Sequence, residues 1–109
     1  EAYPDALNMI LLKGDVVVGR HLVERHENTF RSIDLVVLPA HQNQGIGTLA
    51  IQQLQEKAAL EDKTIHLSAS KTNPALGLYQ RLGFFPLYED DVSVELEWLP
   101  PARMTKACL

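Results

Sequence analysis

Gly45 and Gly47 lie in the run Gln42-Asn43-Gln44-Gly45-Ile46-Gly47-Thr48, where an apolar strand gives way to an amphipathic helix. Such a junction is built to hold an anion. The first turn of a helix has amide N–H groups with no acceptor inside the helix, and the helix dipole adds partial positive charge, so backbone alone can hold a phosphate. The two glycines let the main chain approach a ligand with no β-carbon in the way, and Thr48 can add a hydroxyl. The loop is neither of the two common nucleotide motifs, since G-x-G-x-x-G is absent and no Gly-Lys-Ser/Thr follows. A glycine pair before a helix also occurs as a plain tight connection, and the loop alone leaves both readings open.

Several elements must position this loop. Residues 35–38 are apolar without alternation, which suits a strand buried on both faces, and Pro39 ends it. Ile46, Leu49, Ala50, Leu54 and Ala58 then recur at helical spacing, while Gln52, Gln53, Gln55, Glu56 and Lys57 fall largely off that stripe. Upstream, residues 8–12 and 16–24 read as antiparallel strands joined at Lys13-Gly14-Asp15, and a polar turn over residues 25–29 leads to a third strand over residues 30–38.

Downstream, Ile65 and Leu67 alternate with His66 and Ser68 in a strand over residues 64–69. Asn73 caps a short helix with Pro74 at its first position and Ala75, Leu78 and Leu82 on one stripe; Gly83 ends it in a left-handed conformation. Residues 84–88 and 92–98 make two further strands. Alternation of Val92, Val94, Leu96 and Trp98 turns Glu95 and Glu97 to the opposite, solvated side. The order β-β-β-α-β-α-β-β is an α/β arrangement with a mixed sheet.

Composition narrows the class. At 109 residues the sequence fits one domain, over residues 1–99, with a patternless tail over residues 100–109. A hydrophobic fraction of 46% beside 22% charged residues is ordinary for a globular protein. No apolar run approaches the roughly 18 residues of a membrane span. A net charge of −4 with 10 Lys plus Arg argues against nucleic acid as the main ligand and suits a cationic acceptor. The single cysteine, Cys108, has no intrachain disulfide partner, and no signal peptide is visible, so a cytoplasmic protein is expected.

Taken together, the loop Gln42-Asn43-Gln44-Gly45-Ile46-Gly47 and the segment Asn73-Pro74-Ala75-Leu76-Gly77-Leu78-Tyr79-Gln80-Arg81-Leu82-Gly83-Phe84 resemble the GNAT superfamily of N-acetyltransferases. The first is similar to that family's acetyl-CoA loop, Q/R-x-x-G-x-G/A, and the second to its N-x-A-x-x-x-Y-x-x-x-G-F segment. Both occur in order, with room for a helix and a strand between them, and the resemblance covers roughly residues 9–98.

The resemblance implies a mixed, mostly antiparallel sheet with splayed central parallel strands and flanking helices. It also implies acetyl-CoA as cosubstrate, no metal, and transfer of acetyl to a primary amine, on a small molecule or a peptide, by direct attack in a ternary complex. Carried over by position, Leu35, Val36 and Val37 line pantetheine, and a backbone N–H near Val37 polarises the acetyl carbonyl. Asn43, Gln44, Gly45, Ile46, Gly47 and Thr48 cradle the pyrophosphate, and Asn73 touches the cofactor from the second helix. Tyr79 stands near the sulfur as the acid that protonates the departing thiolate.

Taken by themselves, these residues have simpler readings: Asn73 as a helix cap, Tyr79 as a core aromatic, His41 as a surface loop residue and Arg81 as a solvated helix residue. For the general base the resemblance implies an acid on the strand before the loop, where Asp34 stands; by itself Asp34 also reads as a polar strand residue bonded to a neighbour, and His21, Glu24 and His26 are weaker candidates, with a water chain as another route.

Two departures from the family pattern bear on function. Many members carry Arg or Lys just before the first loop glycine, where Gln44 stands here. Backbone N–H groups must then carry the anion, which predicts measurable but salt-tolerant binding. The family also opens with a strand and one or two helices ahead of the hairpin, for which these 109 residues leave no room. A sheet uncovered there favours a homodimer or higher oligomer. It also keeps open a shortened CoA-binding or interaction module without turnover.

Overall fold

The computed structural model describes residues 6–101, and the 100–109 tail expected from sequence lies outside them beyond Pro101. Six strands and two helices follow in the order β1 (Ala6–Lys13), β2 (Val16–Arg25), β3 (Thr29–Val37), α1 (Ile46–Glu61), β4 (Thr64–Ser70), α2 (Leu76–Arg81), β5 (Phe85–Glu89) and β6 (Ser93–Trp98). A short 3-10 turn, Pro39–His41, precedes the glycine loop. The strands form one sheet in the order β1-β2-β3-β4-β6-β5. Every neighbouring pair is antiparallel except β3 with β4. Among the described residues no helix is long and apolar enough to cross a membrane.

Local chemistry explains the main turns. Gly14 takes a positive φ of 62°, which suits the first central position of a tight hairpin turn between β1 and β2. Gly19 is needed for a different reason. A β-carbon there would collide with the carbonyl oxygen of Val36 and lie 3.1 Å from the Val37 Cα, so glycine permits the close approach of β2 to β3.

One face of the sheet carries the core. Val23, Phe30, Ile65, Leu67, Val94 and Leu96 pack there against Ile51, Leu54 and Ala58 of α1 and Tyr79 of α2, with Leu7, Met9 and Leu35 at the margin. The helical stripe is rotated slightly from the sequence expectation: Ile51 is fully buried, whereas Leu49 is 59% exposed. Burial on α1 follows Ala50, Ile51, Leu54 and Ala58, so the core-facing line passes one residue later than Leu49.

The parallel pair decides where a site can form. β3 and β4 are in register only at Thr29↔Thr64, Phe30↔Ile65 and Arg31↔His66. Beyond Arg31 the strands diverge, although β2 follows β3 to Val37 and β6 follows β4 to Ser70. This splay corrects the expectation that residues 35–38 are buried on both faces. Leu35 packs on the core side, Val36 and Leu38 are exposed, and the far edge of this stretch has no strand beside it.

Candidate functional site

The polypeptide leaves β3, makes the Pro39–His41 turn and enters α1 through a loop bent by left-handed residues, with φ 63° at Asn43 and 81° at Gly45. Asparagine and glycine are the residues that tolerate this region best. Gln42 Nε2 donates to the Val37 carbonyl at 3.0 Å, tying the loop to the end of β3. Gly45 is the residue that caps α1. It offers no side-chain hydrogen bond, and the first turn contains no acidic residue. The amides of Ile46, Gly47 and Thr48 are therefore left to an external acceptor, with the dipole unneutralised.

A cleft of about 490 Å³ opens at this point, lined by Val37, the loop from His41, the first turn of α1 and, opposite, Pro74, Ala75, Leu78 and Arg81. A β-carbon on Gly45 would meet nothing within 4 Å. His41 faces the same space and has a buried Nδ1 with no hydrogen-bond partner among the described residues. An open cradle, free helix amides and an orphaned imidazole nitrogen fit an anionic, phosphate-bearing ligand such as CoA.

The residues singled out from sequence divide into two groups. Val37, Asn43, Gly45, Ile46, Gly47 and Thr48 line the cleft together. Gln44 is not part of the lining, and its Oε1 accepts a 3.0 Å hydrogen bond from Lys13 Nζ. Leu35 directs its side chain to the core, and Val36 lies on the other face beside Ile10, Val17 and Leu38. Asn73 does not cap α2 directly: its Oδ1 accepts from the Ala75 amide at 2.8 Å, forming a turn ahead of the helix, and Ala75 holds the cap position. Pro74 accordingly precedes the helix instead of opening it.

Tyr79 is the buried residue of α2, 9% exposed, with its ring tilted against Phe84 at 5.8 Å. Its hydroxyl makes no hydrogen bond to the described residues, and burial pushes the phenol above its ordinary pKa, keeping it protonated. Asp34 lies on the sheet face opposite the helices and pairs with Arg20 at 3.1 Å, both side chains nearly half exposed.

Two other acids differ from their solvated reading. Glu95 is gripped by both Arg31 nitrogens, at 2.7 and 3.2 Å, and Glu97 meets His66 at 2.7 Å. Their side chains are 11% and 19% exposed, because His66 stands directly opposite Glu97 on β4 and Arg31 reaches Glu95 from β3, one strand further on.

His41, Gln42, Pro74, Ala75 and the α2 residues Leu78 and Arg81 complete the lining beyond the residues given a role by resemblance. Gln42 already stood inside the loop motif and Pro74, Ala75, Leu78 and Arg81 inside the second segment, while His41 stands in neither. The approach of α2 to the start of α1 brings them in, with Leu78 Cδ2 4.0 Å from the β-carbon position of Gly47.

Known proteins are similar to this chain in sequence and in fold. The family model of the acetyltransferase (GNAT) domain matches residues 5–86. The cysteine-rich protein 2-binding proteins of Mus musculus and Homo sapiens are 36% and 34% identical over 84 residues; the match covers 75% of this chain but only 10% of theirs. Among solved structures, the PaiA N-acetyltransferase of Thermoplasma acidophilum, in complex with coenzyme A, superposes with a TM-score of 0.78 at 15% identity, over 87% of this chain and 61% of that one. The ribosomal-protein-S18-alanine N-acetyltransferase of Escherichia coli gives 0.79 at 18%, over 88% and 70%. A GNAT acetyltransferase of Elizabethkingia anophelis with acetyl-CoA bound gives 0.70 at 18%, over 83% and 73%. With three quarters of its length matched by the family model and both family motifs facing one cleft, this chain belongs to the GNAT acetyltransferase family.

Proposed function

We propose that this chain transfers acetyl from acetyl-CoA to a primary amine by direct attack within a ternary complex. One observation carries the reading: the uncapped N-terminus of α1 and the unpaired edge of β3 beyond Arg31 meet at the same cleft. The helix amides suit the pyrophosphate. The free strand edge offers peptide groups to the amides of pantetheine and an N–H to polarise the acetyl carbonyl.

In the reaction the neutral amine attacks the thioester carbonyl carbon. A C–N bond forms, the C–S bond breaks, and Tyr79 gives its proton to the departing thiolate. Burial keeps the phenol protonated at neutral pH, so a proton is available to donate. Asp34 takes the ammonium proton, from the far face of the sheet and after release from Arg20. The ordered pair Arg20–Asp34 also supports a second reading, a CoA-binding module without turnover, because the acid on the strand before the loop is held by a cation and stands outside the cleft.

Thiol release from acetyl-CoA over a panel of small amines and peptide N-termini separates the two readings. Release that depends on one amine class and falls in Tyr79→Phe supports the transferase; binding of acetyl-CoA with no release for any amine supports the module. Self-association is part of the same reading. β1 is an edge strand carrying exposed Ile10 and Leu12, and two such edges can pair about a two-fold axis. Light scattering that finds only monomer at high concentration removes this part.

A further inference from the structure

Charge at the glycine loop is the feature least explained by the loop itself. Eight Lys and Arg residues lie among the described residues, and six of them, Arg20, Arg25, Arg31, Lys57, Lys63 and Lys71, stand within 4.0 Å of a carboxylate oxygen. The remaining two are Lys13 and Arg81. Both are exposed, and they flank the start of α1 from opposite sides. Lys13, at the end of β1, reaches across the hairpin turn to the Gln44 side chain, one residue before the α1 cap, and has no carboxylate partner among the described residues. Arg81, in the last turn of α2, lines the cleft facing Asn43, Gly45, Gly47 and Thr48, with no ion pair among the described residues. Its guanidinium lies back along α2, with Nη1 3.4 Å from where a β-carbon of Gly77 would stand.

A cation without an ion-pair partner beside a helix N-terminus adds to the local positive field there. Gln44 matters here because it is neutral and an acceptor. A cation at position 44 would repel Lys13, whereas the glutamine amide oxygen holds the ammonium at the loop. We propose that Lys13 and Arg81 form a two-sided clamp for the phosphate groups of the CoA nucleotide, supplying from the β1–β2 hairpin and from α2 the charge that the loop lacks. This inference rests on the acetyl-CoA reading above and changes one of its expectations: binding is sensitive to salt, since two exposed cations contribute to it.

Calorimetric titration of the 109-residue chain with acetyl-CoA tests the clamp in Lys13→Gln, Lys13→Arg, Arg81→Gln and Arg81→Lys, with thermal melts to confirm folding. Each neutral variant is expected to bind about threefold to tenfold more weakly than the parent at low salt and to lose part of its salt sensitivity. Each charge-retaining variant is expected to stay within about twofold. Four variants that bind like the parent, or charge-retaining variants as weak as the neutral ones, overturn the clamp while leaving acetyl-CoA binding intact. A parent chain that binds no acetyl-CoA overturns the clamp and the reading beneath it together.

Discussion

The two ends of the β3–β4 pair use the same two strands in opposite ways. At the closed end, Thr29, Phe30 and Arg31 run in register with Thr64, Ile65 and His66, and the two threonine hydroxyls meet at 3.1 Å. Phe30 and Ile65 are fully buried, with Arg25 and the Lys63 ammonium over the Phe30 ring and Lys63 donating to the His26 carbonyl at 2.8 Å. At the open end the strands separate, Val36 and Leu38 reach solvent, and helix amides face the cleft. Unspent hydrogen-bonding groups at one end depend on complete packing at the other. A fold that closed both ends would gain hydrogen bonds and lose the slot.

The contrast makes the closed end the larger contributor to stability. Phe30→Ala deletes a fully buried aromatic ring and the surface beneath two cations, and is expected to cost about 3–5 kcal/mol in chemical denaturation. A cost under about 1 kcal/mol would show that the closed end does not anchor the sheet.

His21 sharpens the comparison from beneath the open end. It pairs with Leu35 across the sheet, is fully buried, and meets Ser32 Oγ through Nε2 at 2.8 Å, while its Nδ1 has no partner among the described residues. Burial lowers its pKa from 6.5 to about 4, against a smaller opposing pull from Asp34. The unfolded chain therefore binds this proton near pH 6.5 and the folded chain only near pH 4. His21 costs the fold nothing at neutral pH, and stability is lost as pH falls through that window. The loss attributable to His21 is roughly 3 kcal/mol between pH 7 and pH 4. His21→Leu should flatten that part of the profile, and an equally steep profile in the variant would assign the acid sensitivity to the carboxylates.

Under the proposed transfer, Tyr79→Phe tests the chemistry assigned to the open end. It keeps the ring packing against Phe84 and removes the hydroxyl, so kcat for acetyl transfer is expected to fall about 100-fold with KM for acetyl-CoA little altered. A fall in affinity with kcat retained would instead make the hydroxyl a binding group. The smallest effect belongs to the brace between the helices. Gln55 Nε2 donates to the Leu82 carbonyl at 2.8 Å, linking α1 to the end of α2. Gln55→Ala should cost about 1 kcal/mol in denaturation and weaken acetyl-CoA binding only slightly.

What sequence conveyed depended on how local the cause was. The strand and helix order followed from periodicity, and the left-handed turn at Gly83, φ 95°, followed from a glycine at a helix end. The family was legible because Gly45, Gly47, Asn73 and Tyr79 stand in two motifs at a fixed separation. Long-range geometry was less visible. The apolar run 35–38 reads as doubly buried, and only the divergence of β4 explains why Val36 and Leu38 are exposed. Glu95 and Glu97 read as solvent-facing until β3 and β4 bring Arg31 and His66 beside them. Lys13 stands in no motif, and Arg81 holds a position that the second motif leaves unspecified. Their relation to the loop exists only once the hairpin and α2 fold against α1.

The central claim is that acetyl-CoA occupies the open end of the β3–β4 pair with its phosphates on the α1 amides. Backbone amide NMR of the chain, titrated with acetyl-CoA, tests it residue by residue. The account predicts large shifts at Ile46, Gly47 and Thr48 and along β3 from Ile33 to Val37, with Thr29, Phe30 and Arg31 nearly unmoved. Shifts confined to other surfaces, or spread evenly over both ends of the pair, would contradict it.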